Sequence, residues 1–410
     1  MLWTAIGLAF RLIDLTALPP WTDECATIAF SAGHGFQDVP TDQLISSAEL
    51  TAPLWFDPSR TARDVWQVLR QESTHPPLYF LLAHYWMRLW SPVVGLGWES
   101  REALLWAARS LPALLGAASI PAMFALARSA FGSSLGAMTI AQLAAALMAV
   151  SPFAISLARE ARHYTLVLLF VIASIACTIA IMRYLVSRVL ARLPSYRLAI
   201  PNTNPYAIAL LWGGVNTCGM ATHYFFGLTL AIEAATVLSA IGGLGLLRGR
   251  WIDRSGWSVL ITAAVPTLLG AIVWIPAWRS LGDHTLTDWV YDGAPGLDAL
   301  FRLLSWLTVM FFALPTDDLS LPLGWVIGNG LVLLALLAAL VRWVAIGVIT
   351  SLKPRRSSEA AIVPIVVWTT LGMVGFGLIA ILILTFGWQS DLTLAARFSY
   401  PYFPALVLLV

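Results

Sequence analysis

ALLWAARSLPALLGAASIPAMFALA, residues 103–127, runs without the apolar–polar alternation of a half-buried strand. As a helix rising 1.5 Å per residue it is long enough to cross a hydrocarbon core of ~30 Å. Similar runs recur along all 410 residues. The chain is 59% hydrophobic and only 11% charged, whereas a soluble domain carries roughly a quarter charged residues. These features exclude a soluble domain and a membrane β-barrel, and they predict an all-α polytopic membrane protein.

Spans are expected at about 1–18, 104–127, 134–157, 164–182, 206–222, 225–247, 257–277, 322–342, 362–386 and from 400 onward. That makes ten or more transmembrane helices in one domain covering 1–410. The first stretch lacks a basic leader and a cleavage site and reads as a span, not a removable signal peptide. The last stops at Val410 before it crosses, so a C-terminal truncation is expected.

Three basic segments fix the expected orientation: Arg183, Arg188, Arg192 and Arg197; then Arg248, Arg250 and Arg254; then Arg342, Lys353, Arg355 and Arg356. By the positive-inside rule they face the cytoplasm, with Arg128 as a weaker marker. Parity then requires that 75–90 and 301–315 do not cross. The first outer loop, 19–103, carries the segment TARDVWQVLRQES (61–73), whose Ala62, Val65, Trp66 and Leu69 form the apolar face of a surface-lying helix.

The net charge of +2 points to no nucleic-acid partner. Cys25, Cys177 and Cys218 form neither a disulfide framework nor a zinc-type spacing and read as packing residues.

On this map the unusual polar residues gather on the outer side. Asp23 and Glu24 follow the first span, His75 precedes Pro76-Pro77, AREARHY supplies Arg159, Glu160, Arg162, His163 and Tyr164, and ARFSYPYFP supplies Arg397 and Tyr400. Carboxylates suit general-base work, and guanidinium groups bind phosphate bidentately. Plainer readings stand beside these. Two acids at a loop start are equally a solvated helix end, the 159–163 cluster equally an ion-pair network, and a histidine placed as His75 is before two prolines is more often a turn residue than a catalyst. His223, Tyr224 and His284 read as packing or interfacial groups, and Asp283, Asp288, Asp292 and Asp298 as solvent-facing.

RLIDLTALPPWTDECA (11–26), HPPLYFLLAHYWMRLW (75–90), ARSLPALLGA (108–117), SPFAISLAREARHY (151–164) and ARFSYPYFPALVLL (396–409) stand in an order that resembles the GT-C membrane glycosyltransferases. The nearest branch is the one related to protein O-mannosyltransferases and the aminoarabinose transferase of lipid A. The resemblance implies a helical bundle with interfacial helices in its first outer loop. It implies an inverting transferase that takes a sugar from a polyprenyl-phosphate donor on the outer face of a plasma membrane, with a protein, lipid or polysaccharide acceptor.

By the same resemblance Asp23 is the base, with Glu24 as neighbour and Glu160 as second acid. His75, Arg159, Arg162, Tyr164, Arg397 and Tyr400 line the substrate. Thr74-His75 departs from the Glu-Lys that relatives carry before proline. No cofactor is implied, the lipid-linked sugar being a substrate, and no metal is expected because the outer side lacks a D-x-D pair. The reading from another class is a lipid or sugar transporter or flippase, which would place its ionisable residues near the midplane.

Overall fold

The computed structural model describes residues 1–73, 75–90, 101–132, 135–190, 203–249, 251–275, 295–313, 322–351 and 362–410. Arg192, Arg197, Arg250, Asp283, His284, Asp288, Asp292, Lys353, Arg355 and Arg356 lie outside them. Among the described residues every regular element is helical.

Among the described residues six helices are long and apolar enough to cross a membrane: Glu102–Phe131, Tyr164–Leu190, Phe226–Leu246, Arg254–Ile272, Leu323–Thr350 and Val363–Gly387. The pair Gly136–Val150 and Pro152–Ala158, bent by 56°, makes a seventh if counted as one span. This is fewer than the ten expected, for local reasons. Residues 1–18 yield only the short helix Leu2–Leu12, and the last stretch only Phe403–Leu409. Pro205–Thr222 is a full helix, but Asn216, Thr217 and Thr222 dilute its apolarity. The segments expected not to cross are the short helices Leu78–Trp90 and Asp298–Val309.

The 56° bend has a chemical cause. Pro152 lacks an N–H and starts a new helix, and Ser151 caps it by accepting from the Ala154 N–H at 3.2 Å. The carbonyls stranded at the end of the preceding helix need donors. Arg11, fully buried, supplies them: it donates to Met148 O at 3.0 Å and Ala149 O at 3.1 Å. Gly7 permits the approach, since a Cβ there would lie 2.2 Å from Ile120 Cδ1.

The two ends of the bundle differ in chemistry. At one end Arg183 donates to Ser129 O at 2.8 Å, and Arg188 pairs with Asp253, so the Arg128 turn, Arg183, Arg188 and the start of the Arg254–Ile272 helix share that end. Tyr164 opens the opposite end of the same helix, about 36 Å from Arg188 at 1.5 Å per residue. There the helices Thr22–Ala32, Ala62–Glu72 and Leu78–Trp90 pack together, with Val65 and Leu69 against Phe30 and Phe80. Trp66 departs from its expected place and is 42% exposed, because one residue's 100° turn carries it off the Val65 face.

Candidate functional site

Trp21, in extended backbone, precedes the Thr22–Ala32 helix, so Asp23 and Glu24 both fall in the first turn, where peptide dipoles favour negative charge. They then diverge. Glu24 turns inward and is 1% exposed. Arg109 grips it with Nε at 2.8 Å and Nη2 at 2.7 Å, and the Ala161 N–H donates to it at 2.7 Å. Arg109 also donates to Leu15 O and Leu18 O, both at 2.9 Å. One buried ion pair thereby ties the chain before Asp23, the Arg101–Phe131 helix and the 159–163 turn together.

The Asp23 side chain is 35% exposed and faces two guanidinium groups, Arg162 Nη2 at 3.5 Å and Arg397 Nη2 at 3.9 Å. Arg162 is itself fixed, donating to Asp23 O at 2.9 Å and Thr27 Oγ1 at 2.7 Å. Its Nη2 also approaches His75 Nε2 at 3.4 Å. Arg397 stands 5.1 Å over the Trp21 ring, a cation–π contact at the mouth of the same helix.

The remaining expected residues separate into contributors and supports. Tyr164 is buried, with the Arg162 guanidinium 5.7 Å over its ring. Glu160 lies near Ser156 Oγ at 3.5 Å. Burial, and then the Glu24 charge, push its pKa above the ordinary carboxylate value, with Arg397 and Arg162 opposing. Arg159, expected at the substrate, is spent elsewhere, donating to Phe10 O at 3.0 Å, Ile13 O at 2.5 Å and Asp14 O at 2.7 Å at the end of the first helix. Tyr400 is fully buried, and its hydroxyl meets His223 Nδ1 at 3.3 Å. Glu24, expected beside Asp23 in catalysis, is committed to Arg109.

Two features escaped the sequence reading. Arg109 was absorbed into an apolar run, although a lone arginine inside a span is itself a signal of a buried partner. His223, read as packing, joins His75 and His163, with one ring nitrogen of each within 4.8 Å of the others. Its signal is positional: it sits where the Pro205–Thr222 helix ends, on the side parity assigns to His75 and His163.

This end of the bundle can therefore do three things. It presents one carboxylate to solvent, it surrounds that carboxylate with two fixed cations suited to an oxyanion, and it gathers three imidazoles behind them.

No protein-family model matches the chain, and no curated protein matches it. Among solved structures it is similar to ArnT from Cupriavidus metallidurans bound to undecaprenyl phosphate, with 14% identity and a TM-score of 0.47, over 100% of this chain and 58% of that one. It is also similar to the archaeal oligosaccharyltransferase AglB from Archaeoglobus fulgidus in complex with an inhibitory peptide and a dolichol-phosphate. There the identity is 15% and the TM-score 0.44, over 100% of this chain and 48% of that one. The chain thus spans less than two thirds of the length of either structure.

Proposed function

We propose that this chain is an inverting GT-C glycosyltransferase that moves a sugar from a polyprenyl-phosphate donor to a protein, lipid or polysaccharide acceptor. The reaction would take place at the Asp23 end of the bundle, on the outer face of a plasma membrane. The observation that carries the reading is Asp23 itself, a part-exposed carboxylate with Arg162 at 3.5 Å and Arg397 at 3.9 Å. The ordered sequence resemblance supports it.

The chemistry follows from that set. Asp23 accepts the proton of the acceptor hydroxyl or amine as its oxygen or nitrogen bonds to the anomeric carbon. The bond from that carbon to the phosphate oxygen breaks in line, inverting the carbon, and its electron pair stays with the phosphate. Arg162 and Arg397 meet the charge that develops there. Arg162 stays in place throughout, because its anchors are the Asp23 carbonyl and Thr27, not the carboxylate alone. The sugar arrives on its own leaving group, so no organic cofactor enters the step.

The test is purified chain in detergent with a radiolabelled polyprenyl-phosphate sugar, wild type against Asp23→Asn. The variant is expected to bind donor and to lose transfer by about 10² to 10⁴-fold, the usual worth of a general base. Transfer at the wild-type rate would remove Asp23 from the chemistry.

One observation favours the transporter reading. Glu233 is buried within the Phe226–Leu246 span, where Trp212 Nε1 donates to it at 3.1 Å, beside Ser174 and Asn216. An ionisable residue there is a common mark of a translocation path. That reading moves ahead if neither protein binds the lipid-linked sugar and Glu233→Gln abolishes flux in vesicles.

A further inference from the structure

Three segments remote in sequence each deliver one imidazole to the same place. His75 lies in the turn before Pro76-Pro77, His163 directly precedes the Tyr164–Leu190 helix, and His223 ends the Pro205–Thr222 helix. The His163 and His223 rings stack with centroids 4.3 Å apart, and the His75 ring is 5.4 Å from His163. His163 is fully buried, and neither of its ring nitrogens has a hydrogen-bond partner. A buried imidazole left so costs stability unless something meets it.

Neutral imidazole is the form that offers a lone pair to a metal. Three lone pairs brought within 4.8 Å of one another have no use for each other, and a hydrogen-bonded anion would engage only the N–H side of each ring.

We propose that His75, His163 and His223 bind one divalent transition-metal ion of the zinc or cobalt class. Three-histidine sets of this kind hold zinc with one position left for water or an oxygen ligand. The groups behind the rings suit the assignment. His75 Nδ1 faces Ser73 Oγ at 3.4 Å, and His223 Nδ1 faces Tyr400 Oη at 3.3 Å, the kind of outer partner that orients a ligating imidazole and leaves Nε2 to the ion.

Binding asks two adjustments. In the structure His223 Nδ1 accepts from the Phe225 N–H at 3.1 Å; the tautomer whose Nδ1–H donates to Tyr400 breaks that bond and leaves the Phe225 N–H to another acceptor. Arg162 gives up its 3.4 Å approach to His75 Nε2 and keeps its bonds to Asp23 O and Thr27. With two guanidinium groups close by and Asp23 between them, the fourth ligand is an anionic oxygen. The expectation of no metal rested on the spacing of acids, and these ligands are imidazoles with no short spacing to read.

The full chain in detergent, stripped with chelator, is titrated with Co²⁺ while visible d–d absorption and metal per chain are measured. Wild type is expected to take up one Co²⁺ with tetrahedral absorption, displaced by Zn²⁺. His34→Ala, on a histidine outside the cluster, should behave as wild type. His163→Ala should lose the signal. Tyr400→Phe, nearly the same shape, should bind about 10 to 100-fold more weakly while keeping its thermal midpoint, so the question is decided even if His163→Ala fails to fold. Absence of Co²⁺ uptake by wild type overturns the proposal, as does unchanged binding in both His163→Ala and Tyr400→Phe. The readout is metal, not sugar transfer, and so stands apart from the outcome for Asp23.

Discussion

Neighbouring residues on a helix point about 100° apart, and that turn alone separates the fates of Asp23 and Glu24. One faces solvent between two arginines; the other is sealed against Arg109. Glu24→Ala should therefore cost about 3–5 kcal/mol, because it leaves the Arg109 guanidinium buried without its counter-charge. Thermal or denaturant midpoints in detergent check this, with Asp23→Asn expected to sit at the wild-type midpoint; equal losses from the two substitutions would refute the division of labour. Convergence of Asp23, His75, Arg162 and Arg397 was legible in the sequence, since each lies at the end of an apolar run and parity brings those ends to one side. Individual roles were not legible. Side-chain direction decides them, and "DE" or "REAR" reads the same whichever of its residues turns inward, as Glu24 and Arg162 show. The histidine cluster was hidden for a related reason: its members share a side but no short spacing.

The Ala62–Glu72 helix shows how a short amphipathic helix is started. Asp64 accepts from the Thr61 N–H and from the Thr61 hydroxyl, each at 2.7 Å. These two bonds, the hydroxyl's first, hold its pKa below the ordinary carboxylate value. A depressed acid stabilises the fold above the unfolded pKa, about 3.9, and that contribution fades as pH falls through the lower folded value. The thermal midpoints of wild type and Asp64→Asn should thus differ near neutrality and converge in acid; a difference that persists or grows below pH 3 would contradict the assignment. Amphipathicity announced this helix correctly through Val65 and Leu69. It overreached at Trp66, because the docked face is set by Phe30 and Phe80, which no local pattern reveals. The break at Ser151-Pro152 carried its own proline signal, but its partner Arg11 lies far away in sequence and was invisible until the helices were packed.

Across the whole molecule, the arginine-bearing end and the Asp23 end are held apart by the length of the long helices. The orientation expected from the positive-inside rule puts the Arg183, Arg188 and Arg254 end in the cytoplasm, and labelling tests that expectation. In a cysteine-free background, Ser59→Cys should react with an impermeant thiol reagent applied to intact spheroplasts, and Arg254→Cys only after the membrane is opened. The reverse pattern would invert the topology. Length and apolarity sufficed to read a polytopic helical bundle, but not its span count, since marginal helices such as Leu2–Leu12 and Pro205–Thr222 depend on neighbours for their burial. The Glu24 clasp also sets a timetable for biosynthesis. Its cation stands 85 residues downstream and its amide donor 137. At about 5–20 residues per second, Glu24 waits roughly 7–30 s after its own synthesis before the Ala161 amide exists. Until then the acid must stay hydrated, so the mouth of the first helix cannot close early, and the nascent chain completes its polar end only after the turn at 159–163 has emerged.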